Sequence, residues 1–219
     1  MSEFIVHTIP GSPFARAVLA TLEEKGQPYR VVPIAPGGLK SEPHISRHPF
    51  GKMPVFEHDG FSLYETQAIL RYLDRILPSP ALTPADPKAA ARMDQVMNIS
   101  DWYLFQGVGN VIAFERIVKP VLMGGTADEA AVEAAMPAAH TVFKELGCLL
   151  GGQDYFAGEA MTLADLAVSC QMGFLAATPE WAPLTAANPN LVAWLTRMNA
   201  QPSMQATTWE KVSAMAKAA

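Results

Sequence analysis

Four prolines within ten residues, Pro78, Pro80, Pro84 and Pro87, constrain this chain more than any other feature. Proline fixes φ and has no amide donor, so this stretch can be neither a helix interior nor a central strand. Before it lie short runs rich in β-branched and aromatic residues. After it those runs vanish and apolar residues recur at helical spacing. The sequence therefore divides into an α/β module over residues 1–77, a proline-rich linker over 78–87 and an all-helical domain over 88–219. With 219 residues, half of them hydrophobic, both parts can bury a core.

Within the module, residues 3–9 read as a strand that stops at Pro10-Gly11. Residues 13–25 read as a helix ending at Gly26, and 29–34 as a second strand. A strand, a helix and a strand joined this tightly form a βαβ unit with parallel strands. The segment 35–50, rich in proline and glycine, is expected to be loop with a short helix near 42–47. Asp59-Gly60 signals a hairpin between strands 53–58 and 61–64, followed by a helix over 65–77 with Ala68, Ile69, Tyr72, Leu73 and Ile76 on one face. Beyond the linker, helices are expected from residue 88 to near Pro120, over 127–150 with a kink or late start at Pro137, and over 162–178, 189–200 and 203–217.

Composition narrows the function. A formal net charge of −5, without any run of Lys and Arg, offers no basic field for nucleic acid. The first residues lack the basic start and long apolar core of a signal peptide, and no apolar stretch is long enough to span a bilayer, so a cytoplasmic protein without a membrane partner is expected. Cys148 and Cys170 have neither metal-ligand nor redox-pair spacing, and no metal site is expected.

Four places carry candidate chemistry. Ser12 is a favoured helix N-cap and Pro13 suits the first helical position, so Ser12 either caps the helix only or also presents its hydroxyl beside free N–H groups. Pro54 heads a strand, where the preceding bond is either an ordinary trans peptide or a cis one that exposes the backbone of Met53. Glu65 and Thr66 open a helix, where N–H groups receive carboxylate and an acidic side chain receives ammonium, or where the acid only complements the dipole. Lys40 and Lys52 flank one loop, either solvated or paired with an anion. Thr162-Leu163-Ala164-Asp165 reads as a structural capping box with Asp in place of the usual Glu or Gln.

In order and spacing, Ser12 to Arg16, Pro49 to Val55, Leu63 to Ile69 and Met161 to Asp165 resemble the glutathione transferases, of a bacterial, serine-type-like kind. The resemblance covers essentially the whole chain. It implies a thioredoxin-like α/β N-terminal domain followed by an all-α C-terminal domain, a homodimer, and glutathione as co-substrate with no other cofactor. By the same resemblance Ser12 is the catalytic serine, Pro54 is cis and Met53 pairs with the cysteinyl backbone. Glu65 and Thr66 hold the γ-glutamyl end, and Lys40 with Lys52 meets the glycine carboxylate. His48 departs from the family's usual asparagine before Pro-Phe-Gly, and Leu39 from a frequent histidine. Ile9, Trp102, Tyr103, Phe105 and Gln106 are the candidates for the second-substrate pocket. The implied activity is detoxifying conjugation of glutathione to hydrophobic electrophiles. Hydroperoxide reduction at the same site and a non-catalytic binding or scaffold role remain the alternatives.

Overall fold

β-branched and aromatic residues at the start of the chain and at Val55-Phe56 build the two central strands of a four-stranded sheet, with Val31 on one edge strand. The computed structural model describes residues 3–218. Strand β1 (Phe4–Thr8) leads through helix α1 (Pro13–Glu24) to β2 (Tyr29–Pro33), and β1 and β2 pair in parallel with Phe4 opposite Tyr29. A 3-10 turn (Gly38–Lys40) and the short helix α2 (His44–Arg47) follow. Then come the antiparallel strands β3 (Val55–His58) and β4 (Phe61–Tyr64), and helix α3 (Thr66–Ile76). The sheet order is β2-β1-β3-β4. Asp59 and Gly60, at φ 48° and 84°, give the hairpin two left-handed central residues, which matches the strand twist. On α1 and α3 the residues Val18, Leu19, Leu22, Ile69, Leu70 and Leu73 are fully buried, as are Val6 and Phe56 from the sheet. Each such side chain contributes about 1.5–3 kcal/mol of burial. On α3 the expected face shifts: Thr66 and Leu70 are buried, whereas Ala68 and Ile76 face solvent.

Helix α4 (Pro87–Ile99) is capped by Asp86, whose carboxylate accepts from the Ala89 amide. The chain stays helical past the expected end, through π-wound Ser100–Gly109, α5 (Asn110–Ala113), π-wound Phe114–Val118 and α6 (Lys119–Met123). Helix α7 (Glu129–Leu150), capped by Asp128, starts well before Pro137 and runs through it. Helix α8 (Leu163–Leu175) is followed by a short α9 (Trp181–Thr185) and α10 (Pro189–Asn199). The single last helix expected from sequence is instead two, α11 (Pro202–Ala206) and α12 (Trp209–Ala218). At the break, the Thr207 hydroxyl donates back to the Ser203 carbonyl and the Thr208 hydroxyl accepts from the Lys211 amide, so one threonine closes α11 and the other opens α12.

Two compact units result. One comprises the residues up to Leu82 together with those from Ala200 onward, and the other is Thr83–Asn199. In the second unit, Asp165 at the start of α8 is buried and accepts from the Phe156 and Thr162 amides, the Thr162 hydroxyl and the Trp194 indole, while Trp194 packs edge-on against Phe156. Thr162 and Asp165 thus form the capping box, and the same carboxylate ties three segments together.

Candidate active site

Ser12 ends the turn that leaves β1. Its amide donates to the Ile9 carbonyl at 3.2 Å, and its Oγ accepts from the Ala15 amide at 3.3 Å, so it is the N-cap of α1 with Pro13 in the first turn. A hydroxyl has two acceptor sites and one proton. Capping occupies an acceptor site and leaves the O–H to donate outward, at the positive end of the helix.

Met53 is tied to that same turn. Its Sδ accepts from the Ile9 amide at 3.3 Å and lies 3.7 Å from the Thr8 hydroxyl. The bond from Met53 to Pro54 is cis, and the β1–β3 ladder ends with Val55 opposite His7, so Met53 lies beyond the last paired residue. Ile9, Ser12 and Met53 therefore gather at one end of the sheet. His44 Nε2 donates to the Lys52 carbonyl at 2.7 Å, which fixes its tautomer and braces the loop that delivers Met53. The stem of Lys40 lies against that loop at Gly51, the residue before Lys52. Gly51, at φ +59°, lies so close to its neighbours that a Cβ there would sit 3.0 Å from the Leu39 carbonyl and 3.1 Å from Lys40 Cγ. Both ammonium groups are on exposed residues.

Glu65 opens α3 with φ +70°, a left-handed conformation that costs a non-glycine residue energy and recurs at ligand clamps. It makes no capping bond through its side chain, and it is exposed beside a buried Thr66. His48 is the link between this corner and the loop. It is 2 % exposed, packs its ring 4.6 Å from that of Tyr64, and carries a buried Nδ1 without a hydrogen-bond partner. Burial pushes its pKa below the ordinary histidine value, against the opposing pull of the Glu65 carboxylate. His7 is held down by burial as well, while donating to Glu57 at 2.9 Å. Of the second-substrate candidates, Ile9 belongs to the Ser12 turn. Trp102, Tyr103, Phe105 and Gln106 lie on the π-wound helix of the second unit, with Trp102 and Tyr103 mostly exposed. Sequence reasoning missed His44 and Trp209. A histidine in a short loop helix and a tryptophan near the end of the chain carry no motif: His44 acts through a main-chain carbonyl eight residues on, and Trp209 through a contact with Gly11 far away in sequence.

Among the described residues no group of three or more His, Cys, Asp or Glu is arranged to hold a metal ion, and no helix is long and apolar enough to cross a membrane. Residues 6–81 match the family model described as glutathione S-transferase, N-terminal domain, and residues 109–202 match the glutathione S-transferase C-terminal domain. A glutathione S-transferase of Hyoscyamus muticus is 32% identical over 196 residues, covering 88% of this chain and 91% of that protein. Glutathione S-transferase F7 of Arabidopsis thaliana is 32% identical over 198 residues, covering 89% and 93%. Among solved structures, glutathione S-transferase I bound with lactoylglutathione superposes with a TM-score of 0.82 at 28% identity, covering 97% of this chain and 99% of that one. These relatives are plant proteins, which does not support the bacterial, serine-type-like subclass expected from sequence.

Proposed function

Because this chain belongs to the glutathione S-transferase family, we propose that it conjugates the thiolate of glutathione to hydrophobic electrophiles, with Ser12 as the group that steadies the thiolate. The observation that carries this reading is the pairing at one turn of a capping serine with a free O–H and the cis-Pro54 loop pinned there by Met53. In this reading the cysteinyl backbone of glutathione pairs with Met53 beside Pro54. The γ-glutamyl end lies at Glu65 and Thr66, and the glycine carboxylate lies near Lys40 and Lys52.

A thiol near its usual pKa of about 8.5 is mostly protonated at neutral pH, and lowering it by about 2 units requires roughly 2.7 kcal/mol of preferential thiolate stabilisation. A hydrogen bond to a charged acceptor supplies about 1.5–3 kcal/mol, and the helix end adds about 0.3–1 kcal/mol. The two together match the need. The thiol proton leaves to solvent, the Ser12 O–H donates to the sulfur, and the sulfur lone pair forms the new C–S bond while the electrophile's leaving group departs with its electron pair. On the unit that carries Ser12, the apolar contact for the electrophile comes from Ile9, whose amide and carbonyl belong to the same turn. The same reading makes the protein a cytoplasmic homodimer acting in detoxification, with glutathione as co-substrate and no other cofactor.

Steady-state conjugation with a panel of electrophiles tests the activity, and the thiolate absorbance of bound glutathione tests the role of Ser12. Ser12→Ala is expected to raise the bound thiol's pKa and to lower kcat/KM by about 10- to 100-fold, the size of one charge-assisted hydrogen bond. An unchanged titration in the variant would leave Ser12 as a cap alone.

A further inference from the structure

The Ser12 turn is covered by a residue almost two hundred positions away in sequence. A Cβ built on Gly11 would lie 3.0, 3.1 and 3.2 Å from three carbons of the Trp209 indole, so the ring is pressed against the main chain one residue before Ser12. Gly11 also has φ +96°, so glycine is demanded there twice, by conformation and by space. Trp209 is the first residue of α12 and lies beyond residue 202, where the match to the family's C-terminal model ends.

The segment that delivers Trp209 is anchored on the same unit as Ser12. Arg16, one turn along α1 from Ser12, donates from Nη2 to the Met204 carbonyl of α11 at 3.0 Å. Tyr29 of β2 places its hydroxyl 3.9 Å from Met215 Sδ on α12, and Val212, on the same helix between Trp209 and Met215 in sequence, is buried. The chain is thus anchored before Trp209, at Met204, and after it, at Met215, while the indole bears on Gly11.

From this contact we propose that Trp209 is a positioning residue for the Ser12 hydroxyl, fixing the Gly11-Ser12 turn and thereby setting the acidity of the thiol bound there. The inference rests on the transferase reading of Ser12. Its physical basis is twofold. Glycine is the most permissive residue in the chain, so the turn keeps one geometry only if something outside it removes the alternatives, and a hydroxyl displaced by a fraction of an ångström loses its alignment with the sulfur. An indole over the turn also excludes water from that side, and a hydrogen bond to a charged sulfur is stronger where water is absent.

The test compares Trp209→Ala and Trp209→Phe with the wild-type protein, with Trp209→Leu as the replacement if the alanine variant does not fold. Four quantities are read: hydrogen exchange of the Ala15 amide, which donates to Ser12 Oγ, the thiolate titration of bound glutathione, kcat, and KM. The alanine variant is expected to exchange Ala15 faster, to raise the bound-thiol pKa by about one unit and to lower kcat about tenfold, with KM for glutathione changed less than about twofold. Trp209→Phe is expected to restore most of each. A variant that melts earlier but titrates bound thiol as the wild type does would make Trp209 a packing residue only and overturn the proposal. If wild-type protein shows no glutathione binding by calorimetry, the transferase reading falls by itself. The exchange measurement then still decides whether Trp209 holds the turn, and unchanged Ala15 exchange overturns that too.

Discussion

At the scale of single residues, the strongest constraint outside the candidate site is a buried charge. Lys25, whose side chain is fully buried, donates from Nζ to Asp74 Oδ1 at 2.6 Å and to the Pro80 carbonyl, and Asp74 also accepts from the Leu82 amide. These bonds tie the end of α1 to α3 and hold the proline-rich segment against both. A buried ion pair adds little over an apolar pair of the same shape, but removing one partner leaves the other charge uncompensated. Lys25→Ala is therefore expected to lower the unfolding free energy by about 3–5 kcal/mol in urea titrations. The double variant Lys25→Met/Asp74→Leu is expected to be more stable than Lys25→Ala. A double variant that is less stable would mean that the Pro80 and Leu82 hydrogen bonds, and not the charge, carry the cost. None of this is legible in the sequence, where Lys25 is simply the polar end of a helix before Gly26. The identity of its partner depends on how α1 and α3 pack. Ser12 is the opposite case, because an N-cap depends on its immediate neighbours and those are adjacent in the chain.

At the scale of elements, local chemistry decided what could be read. The Asp59-Gly60 hairpin, the βαβ unit and the Thr162–Asp165 cap follow from residues within a few positions of one another, and the structure has all of them. The π-wound stretches are different, since their apolar residues keep roughly helical spacing and only the hydrogen-bond register has changed. The break between α11 and α12 was invisible because two threonines in a helical pattern do not by themselves end it. Pro137 shows tertiary structure overriding a local breaker. It is exposed, yet α7 continues through it because Val132, Ala135, Ala139, Val142 and Phe143 on the opposite face are buried. An interior proline forfeits one helical hydrogen bond and crowds the preceding turn, at about 3 kcal/mol in a free helix. Pro137→Ala should therefore raise stability by about 1–3 kcal/mol, seen as a higher urea midpoint with an unchanged slope. A neutral or lower midpoint would show that the helix has already relaxed around the ring.

At the scale of the whole molecule, periodicity says which face of a helix is apolar and not what covers it. The last two helices look like a continuation of the helical part of the chain, but they group with the unit that contains the sheet. The residue types of the candidate site were readable for the same reason that its geometry was not: serine, proline and glutamate sit in local turns, while Met53 reaching Ile9 and Trp209 reaching Gly11 are long-range contacts. Acid sensitivity is the whole-molecule consequence. Burial holds His7 and His48 below the ordinary histidine value of 6.5, with Glu57 and Glu65 pulling the other way. Between their folded values and 6.5 the unfolded chain binds more protons than the folded one, so stability falls as pH drops through that window. Further down, Glu115 and Glu129 are held below the usual carboxylate value of 4.5, first by hydrogen bonds from Lys119 and Arg116 respectively, and their contribution is lost as they protonate. The two effects have the same sign. Chemical denaturation between about pH 8 and about pH 5 should give a midpoint that is flat above the histidine range and declines below it. His48→Asn removes one of the two imidazoles that burial holds below the ordinary value, so its decline over that window should be shallower than that of the wild-type protein, and an equally steep decline would exclude His48 as a source of the acid sensitivity.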